Sequence, residues 1–315
     1  MGNLVYSVAI RSVRDNEFLH RTLGSLQEQT IPPVEVVIAI PADVQPWEMG
    51  DVCKSVRFVQ AERGMVTQRA AGILAAKTEY LLLLDDDVVL APNVAEVLLQ
   101  AMFEQQAACI VPYWAEGWPR KKFVRSLMAF WGIAIPRETG GIHFTAGGGY
   151  YYPRQEPTSP WETHGGAGAV ILVNREFCRA NECLGDVSLQ EFSVYALRDD
   201  GAFILDIFRK GGRCLMAGGA MFIHLGGTTR LDPSRLKMAY TAQIYNHYLF
   251  WKNYIQPEHS KTFTARFRTC LAFCWYLAGI MVLGILASIQ GKSVQPICGI
   301  RIGLKLLFGK MWHLS

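Results

Sequence analysis

Between Lys261 and Ser315 the sequence contains no aspartate and no glutamate. Seven of the 31 lysines and arginines fall in that stretch. The remainder therefore carries 24 basic against 27 acidic side chains, a balance of −3 that the overall +4 conceals. The acid-free stretch is also strongly apolar, and that pairing suits a membrane surface more than a nucleic acid. No C-x-x-C pair occurs among the eight cysteines, Cys53, Cys109, Cys178, Cys183, Cys214, Cys270, Cys274 and Cys298. The usual zinc and dithiol redox motifs are thereby excluded, and cysteines set in apolar runs read as small buried hydrophobes in a reducing compartment. A secretory leader is not apparent: Leu4–Ile10 reads as a first strand, without a charged start or a cleavage site. Tyr6 stands where a myristoylation signal would want Ser or Thr. Finally, the glycines nowhere form G-x-G-x-x-G between a strand and a helix, so a dinucleotide fingerprint is missing.

What is present begins with YLLLLDDDVVLAP, Tyr80 to Pro92. Four consecutive leucines without alternation predict a strand buried on both faces, as in a parallel sheet covered by helices. The run ends in Asp85, Asp86 and Asp87. Ligands of open α/β sheets bind beyond the carboxyl ends of strands, and three neighbouring carboxylates need compensation. A hard divalent cation such as Mg²⁺ or Mn²⁺, holding a diphosphate, would supply it. The alternative is an acidic turn that ends a strand and caps the next helix.

Around this stretch the elements alternate. Strands are predicted at 4–10, 34–40, 55–59, 81–84 and 108–111. Helices are predicted from Asp15/Asn16 to about Gln29, from Met65 to Lys77, and from about Asn93 to Gln106. The order argues for a doubly wound sheet. After Pro112 come Trp114, Trp118 and the basic group Arg120, Lys121, Lys122 and Arg125, readable as an anion-meeting face or as an ordinary solvated helix start. Residues 140–168 are rich in glycine, tyrosine and tryptophan, fit either to stack on sugar rings or to pack as a loop. Phe203, Ile204, Ile207 and Phe208 share a helical face that ends at Gly211–Gly212, which puts Asp199 and Asp200 at a helix N-terminus. Those two acids read as plain caps or as a second functional pair. His224 closes a later strand, structural or ligating.

These pieces, in this order, resemble the family-2 glycosyltransferases, inverting enzymes on the GT-A nucleotide-sugar-binding fold. The resemblance spans roughly residues 4–255. It rests on SVAIRSVRDNEFLHRTLGSLQEQTIPPVEVVIAI, GMVTQRAAGILAAKTEYLLLLDDDVVLAP, GGAGAVILVNREF, and DDGAFILDIFRKGG followed by FIHLGG. The fold implied is α/β, a Rossmann-like, mostly parallel sheet flanked by helices. Its nucleotide-sugar half would be 1–112, its acceptor half 113–255, and C-terminal hydrophobic helices would occupy 256–315. The resemblance also implies roles. Asp85 and Asp87 would be the ends of a D-x-D element, Asp87 and Asp85 with His224 forming the metal site for Mn²⁺ or Mg²⁺. Arg69, Asp85, Asp86 and Asp43 would lie on the donor side. Asp200 would be the catalytic base, with Asp199 beside it. Departures are visible: Ile40-Pro41-Ala42 replaces the usual acids of the second strand's end, Ala70 replaces an asparagine, and Asp206 stands where arginine is common.

The implied partners are a nucleotide sugar and a glycan or lipid-linked acceptor, with no nucleic acid. The uncharged run Thr269–Gly291 is long enough to span a bilayer, and Ile300, Leu304, Leu307 and Phe308 form one face of a following helix opposite Arg301 and Lys305. A single span would export Lys292, Arg301, Lys305 and Lys310, against the positive-inside rule, so re-entrant or surface-lying helices at the cytoplasmic side of a membrane are expected. Packing on the catalytic domain is the alternative. Two rival functions remain at this level, a sugar-nucleotide pyrophosphorylase and a non-catalytic scaffold of the same fold. The first would want glycines in the Ile10–Arg14 loop, which has none.

Overall fold

A computed structural model describes residues 5–48, 56–115, 118, 121–191, 196–226, 233–259 and 261–312. Leu4, Cys53, Ser55, Arg120 and Gly227, named above, lie outside the described residues, as does the side chain of Lys310. In chain order the elements are β1 (Tyr6–Arg11), α1 (Glu17–Gln27), β2 (Glu35–Pro41), β3 (Val56–Ala61), α2 (Met65–Ala75), β4 (Tyr80–Asp85), β5 (Val88–Leu90) and α3 (Val94–Gln105). There follow β6 (Cys109–Pro112), α4 (Lys122–Phe130), β7 (Ala134–Arg137), β8 (His143–Phe144), β9 (Tyr150–Pro153), β10 (Trp161–Glu162), β11 (Val170–Asn174) and α5 (Arg175–Ala180). Last come α6 (Asp199–Arg209), β12 (Cys214–Ala217), β13 (Phe222–His224), α7 (Pro233–Phe250), α8 (Gln256–His259), α9 (Phe263–Gly291) and α10 (Gln295–Trp312).

The main sheet has the order β10-β12-β6-β11-β4-β1-β2-β3. β1 pairs in parallel with β2 and β4, and β2 with β3, while β11 runs antiparallel between β4 and β6. The four leucines of β4 sit at the centre. Leu82 and Leu84 face one core with Ile10, Val36 and Leu98. Leu81 and Leu83 face another with Ile73, Phe203 and Ile204. Burial on both faces is what a run without alternation requires. Strands from the second half of the chain enter the same sheet, so residues far apart in sequence share one strand-end layer.

Helix starts follow side-chain chemistry. Asn16 accepts from the Leu19 amide at 3.0 Å to cap α1, as its position predicts. The start of α2 is capped from a distance: Gln190 Oε1 accepts from the Val66 and Thr67 amides at 3.0 and 3.3 Å. Gly64, at φ +155°, leaves room for that amide, which a Cβ would meet at 2.3 Å. The short β5 is held on one side by α1, whose Thr22 and Ser25 hydroxyls accept from the Val88 and Leu90 amides, and on the other by β13.

The C-terminal helices pack onto this body. A third core joins Ala202 and Leu205 of α6, Ile244 and Tyr248 of α7, and Phe273, Tyr276 and Ile280 of α9. The face of α10 expected to be interfacial turns inward in part. Ile300 and Leu307 are buried and Leu304 packs on the same core, whereas Phe308 is 53% exposed. Gly299 and Gly303 bring α10 so close to α7 that a Cβ would meet Lys237 O at 2.3 Å and Ile244 Cβ at 2.7 Å. By length and composition α9 could cross a membrane, but one of its faces, Phe273, Tyr276, Ile280 and Gly284, is buried against the protein.

Candidate active site

Three loops and one helix start converge at the carboxyl edge of β1 and β4. The register sets Arg11 opposite Asp85 in adjacent parallel strands, so both side chains leave the sheet at the same level. Arg11 donates through Nη2 to Asp85 and through Nη1 to Asp199 Oδ2 at 3.3 Å. From α2, Arg69 donates to the same Asp199 oxygen at 2.7 Å. Asp199 is thus gripped by two guanidinium groups, and its other oxygen accepts from the Asp200 amide at 2.8 Å. Burial works against the charge of Arg11, but Asp85 and Asp199 hold its pKa above the ordinary arginine value. Burial depresses that of Arg69, partly offset by Asp199.

Asp85 and Asp87 flank a turn, and the alternation of side chains throws Asp86 the other way. Asp86 accepts from Ser12 Oγ at 2.6 Å, and burial raises its pKa against that bond. Asp85, Asp87 and His224 come together instead, with potential ligand atoms all within 4.8 Å of one another. His224 Nε2 lies 3.0 Å from Asp87 Oδ1, a bond that raises the histidine pKa above its usual value against the effect of burial. The β5–β13 pairing fixes this approach by placing His224 opposite Val88. Gly226 completes it, because a Cβ there would lie 2.0 Å from Asp87 Oδ2. Two carboxylates and one imidazole with ligand atoms within 4.8 Å of one another are a donor set that fits a divalent cation intermediate between hard and borderline, as Mn²⁺ is.

Asp200 occupies the first turn of α6. Its oxygens accept from the Gly168 amide at 3.1 Å and the Gly201 amide at 2.8 Å. Gly168 must lack a side chain, since a Cβ would sit 2.7 Å from the Asp200 Cβ. Burial, reinforced by Asp199, pushes the Asp200 pKa above the usual carboxylate range. The two acids of the pair are therefore unlike: Asp199 is locked between cations and Asp200 is free of any salt bridge among the described residues.

Asp85, His224, Asp199 and Asp200 line one cavity of about 710 Å³. The expectation that two carboxylate clusters roughly 110 residues apart meet across one pocket matches this placement. Trp114, Trp118 and Tyr150 form an aromatic wall; Trp114 sets its edge against His224, and Trp118 stacks on Tyr152 at 4.7 Å. The indole N–H of Trp114 is buried and has no hydrogen-bond partner among the described residues, so the wall offers the cavity ring surface. Besides Asp86, two of the expected donor-side residues stand elsewhere. Arg69 lies beneath the cavity as a brace for Asp199, and Asp43, beyond β2, pairs with Arg63 at 2.7 Å on the surface, which lowers its pKa. Arg11 and Arg198 were not anticipated. The signal for Arg11 was its place as the last residue of a buried strand; Arg198 stands immediately before the acid pair, in a left-handed conformation with φ 76°.

A sequence model of the family described as glycosyl transferase family 2 matches residues 7–180. Among solved structures, the chain is similar to the crystal structure of GalNAc-T7 with UDP, GalNAc and Mn²⁺. The TM-score is 0.51 at 18% identity, covering 89% of this chain and 57% of that one. It also aligns with S. aureus TarS at TM-score 0.49 and 11% identity, covering 87% of this chain and 43% of that one. At such identity the first likeness is one of fold, and the chain spans less than two thirds of either protein's length. No curated protein sequence matches the chain.

Proposed function

The chain belongs to glycosyl transferase family 2, and on that premise we propose that it inverts the anomeric centre of a nucleotide-diphosphate sugar while transferring it to an acceptor hydroxyl. The observation that carries this reading is that Asp85, His224 and Asp200 line one and the same cavity. The acceptor O–H would lie against Asp200, the acid of its pair that makes no direct salt bridge among the described residues. The oxygen attacks the anomeric carbon as its proton passes to Asp200, and the bond to the diphosphate oxygen breaks with the electron pair leaving on the nucleoside diphosphate. One displacement inverts the centre. Asp85, Asp87 and His224 would hold Mn²⁺ or Mg²⁺, whose chemistry is to offset negative charge on the departing diphosphate. Arg11 and Arg69 hold Asp199 in place, which fixes the first turn of α6 and so the direction of Asp200. Trp114, Trp118 and Tyr150 would present ring surface to sugars.

The acceptor is a glycan or lipid-linked molecule of cell-surface synthesis. The setting we propose is the cytoplasmic side of a membrane, where nucleotide sugars are made, with α9 lying on the surface rather than crossing. Support comes from α9 itself: Phe263, Phe267 and Leu271 recur every four residues on its exposed side, Arg266 and Arg268 are exposed beside them, and the opposite side is buried in protein.

The test is a thermal-shift screen with UDP, TDP, GDP and CDP, each with and without Mn²⁺. A metal-dependent rise with one nucleotide is expected, absent in Asp87→Ala and in Gly226→Ala, which keeps every ligand but fills their space. No shift with any nucleotide would overturn the donor-site assignment.

A further inference from the structure

The cavity does not end at the carboxylates. Beyond Arg198 its wall changes character and is formed by Met128 and Ile133 near α4, Leu236 and Ala239 of α7, and Ile280 and Leu283 of α9. A sugar and a nucleotide have no use for such a wall, and leaving it wet is unfavourable. Arg198 marks the boundary. Its guanidinium donates to the Tyr276 hydroxyl of α9 at 2.8 Å and lies 5.6 Å from the centre of the Tyr150 ring. It makes no salt bridge among the described residues, and its Nε has no hydrogen-bond partner. A largely enclosed cation that feels Asp200 only beyond ion-pair distance, set where the polar part of the wall gives way to the apolar part, fits the anionic headgroup of an amphiphile.

The outer side of the same helices supplies the route. Phe130 of α4 and Trp275 of α9 are exposed and joined, the indole donating to the Phe130 carbonyl at 2.8 Å. Trp131 fits beside them because Gly279 has no side chain; a Cβ there would meet the Trp131 Cβ at 2.4 Å. Exposed Lys121 and Lys122 at the start of α4 and Arg266 and Arg268 in α9 give this apolar face a positive rim complementary to anionic lipid.

We infer that the acceptor is a membrane amphiphile with a negatively charged headgroup, its hydrocarbon chain seated in the chamber between α4, α7 and α9 and its headgroup anion on Arg198. This inference rests on the glycosyltransferase reading and narrows its acceptor to a lipid. The recognition is divided: chain length is felt by Leu283 and its neighbours, headgroup charge by Arg198, and the donor diphosphate by Asp85, Asp87 and His224.

Binding of butyl phosphate, octyl phosphate and octyl glucoside, all below their micelle concentrations, tests it through tryptophan fluorescence. Each buried CH₂ multiplies affinity by about fourfold, so octyl phosphate should bind at least about tenfold more tightly than butyl phosphate. Ala239→Trp, which fills the chamber without removing a contact, and Leu283→Asn should each abolish that chain-length effect. Arg198→Gln should abolish the preference of octyl phosphate over octyl glucoside. Mn²⁺-dependent nucleotide binding is measured on every variant and is expected to persist. Affinity that ignores chain length, or a chain-length effect that survives both chamber variants, overturns the inference. Equal binding of octyl phosphate and octyl glucoside by the unsubstituted protein overturns the headgroup assignment. If nucleotide binding survives in those cases only the lipid inference falls; if the unsubstituted protein binds no nucleotide, the donor reading falls with it.

Discussion

Replacing Arg11 by methionine removes a guanidinium that is 12% exposed and serves two carboxylates. Breaking a buried ion pair costs about 3–5 kcal/mol because a charge is left without its partner. Two features of this site keep the loss near the low end. Asp85 is 23% exposed and can regain water, and Asp199, only 6% exposed, keeps Arg69 at 2.7 Å. The expected loss is therefore about 3 kcal/mol. Arg69→Met should cost a similar amount, since Arg11 then remains 3.3 Å from Asp199. The double variant differs in kind, because Asp199 would then be buried with no cation at all. Its cost should exceed the sum of the two by about 1 kcal/mol or more, as coupled neighbours do. Urea unfolding followed by intrinsic fluorescence measures all three, with the slope checked for constancy. Additivity within about 0.5 kcal/mol would refute the argument that Asp199 is shared between two interchangeable cations. Arg11→Lys offers a further check. A point charge cannot fork to two acids, so lysine should recover less than half of the loss.

Two other outcomes follow from the site. Because burial and Asp199 raise the pKa of Asp200, the acid limb of kcat/KM should fall at a pH above the ordinary carboxylate value of about 3.9, activity being lost as Asp200 gains its proton. Asp200→Asn should lower kcat by at least about 100-fold and erase that limb; a limb unchanged in the residual activity would assign it to another group. The protein should also sediment with vesicles of phosphatidylglycerol and phosphatidylcholine at low salt and be released as salt rises. Phe267→Ser with Leu271→Ser should weaken this severalfold, and sedimentation equal with purely zwitterionic vesicles would refute the charge argument.

Much of the fold was legible because it is written in local pattern. The unbroken apolar runs of β1, β2 and β4 and the inward stripe of α6 need no partner to be recognised. The strands β5 and β13 were missed as a pair because three residues carry no period, and their pairing depends on hydroxyls of α1. The acids of the site were visible as residues but not as orientations. Asp86 was grouped with Asp85 and Asp87 although alternation at a strand end turns it toward Ser12. Arg69 was expected at the donor, yet its guanidinium points to Asp199, a contact over 130 residues that no window of sequence contains. The apolar stripe of α10 gave no hint whether lipid or α7 would cover it; Gly299 and Gly303, which allow the close helix approach, were the available clue.

The pairing of β13 with β5 has a consequence for the chain as it is being made. Asp85 and Asp87 leave the ribosome long before His224, and the strand that carries the histidine can dock only after the intervening residues have emerged. Until then the two carboxylates stand without the imidazole, and Asp199 has not met Arg11. A fragment that stops short of β13 would carry the acidic motif without the third side chain of the cluster. Long-range closure of this kind is slow to form, so the cluster of two carboxylates and an imidazole is complete only once β13 has docked on β5.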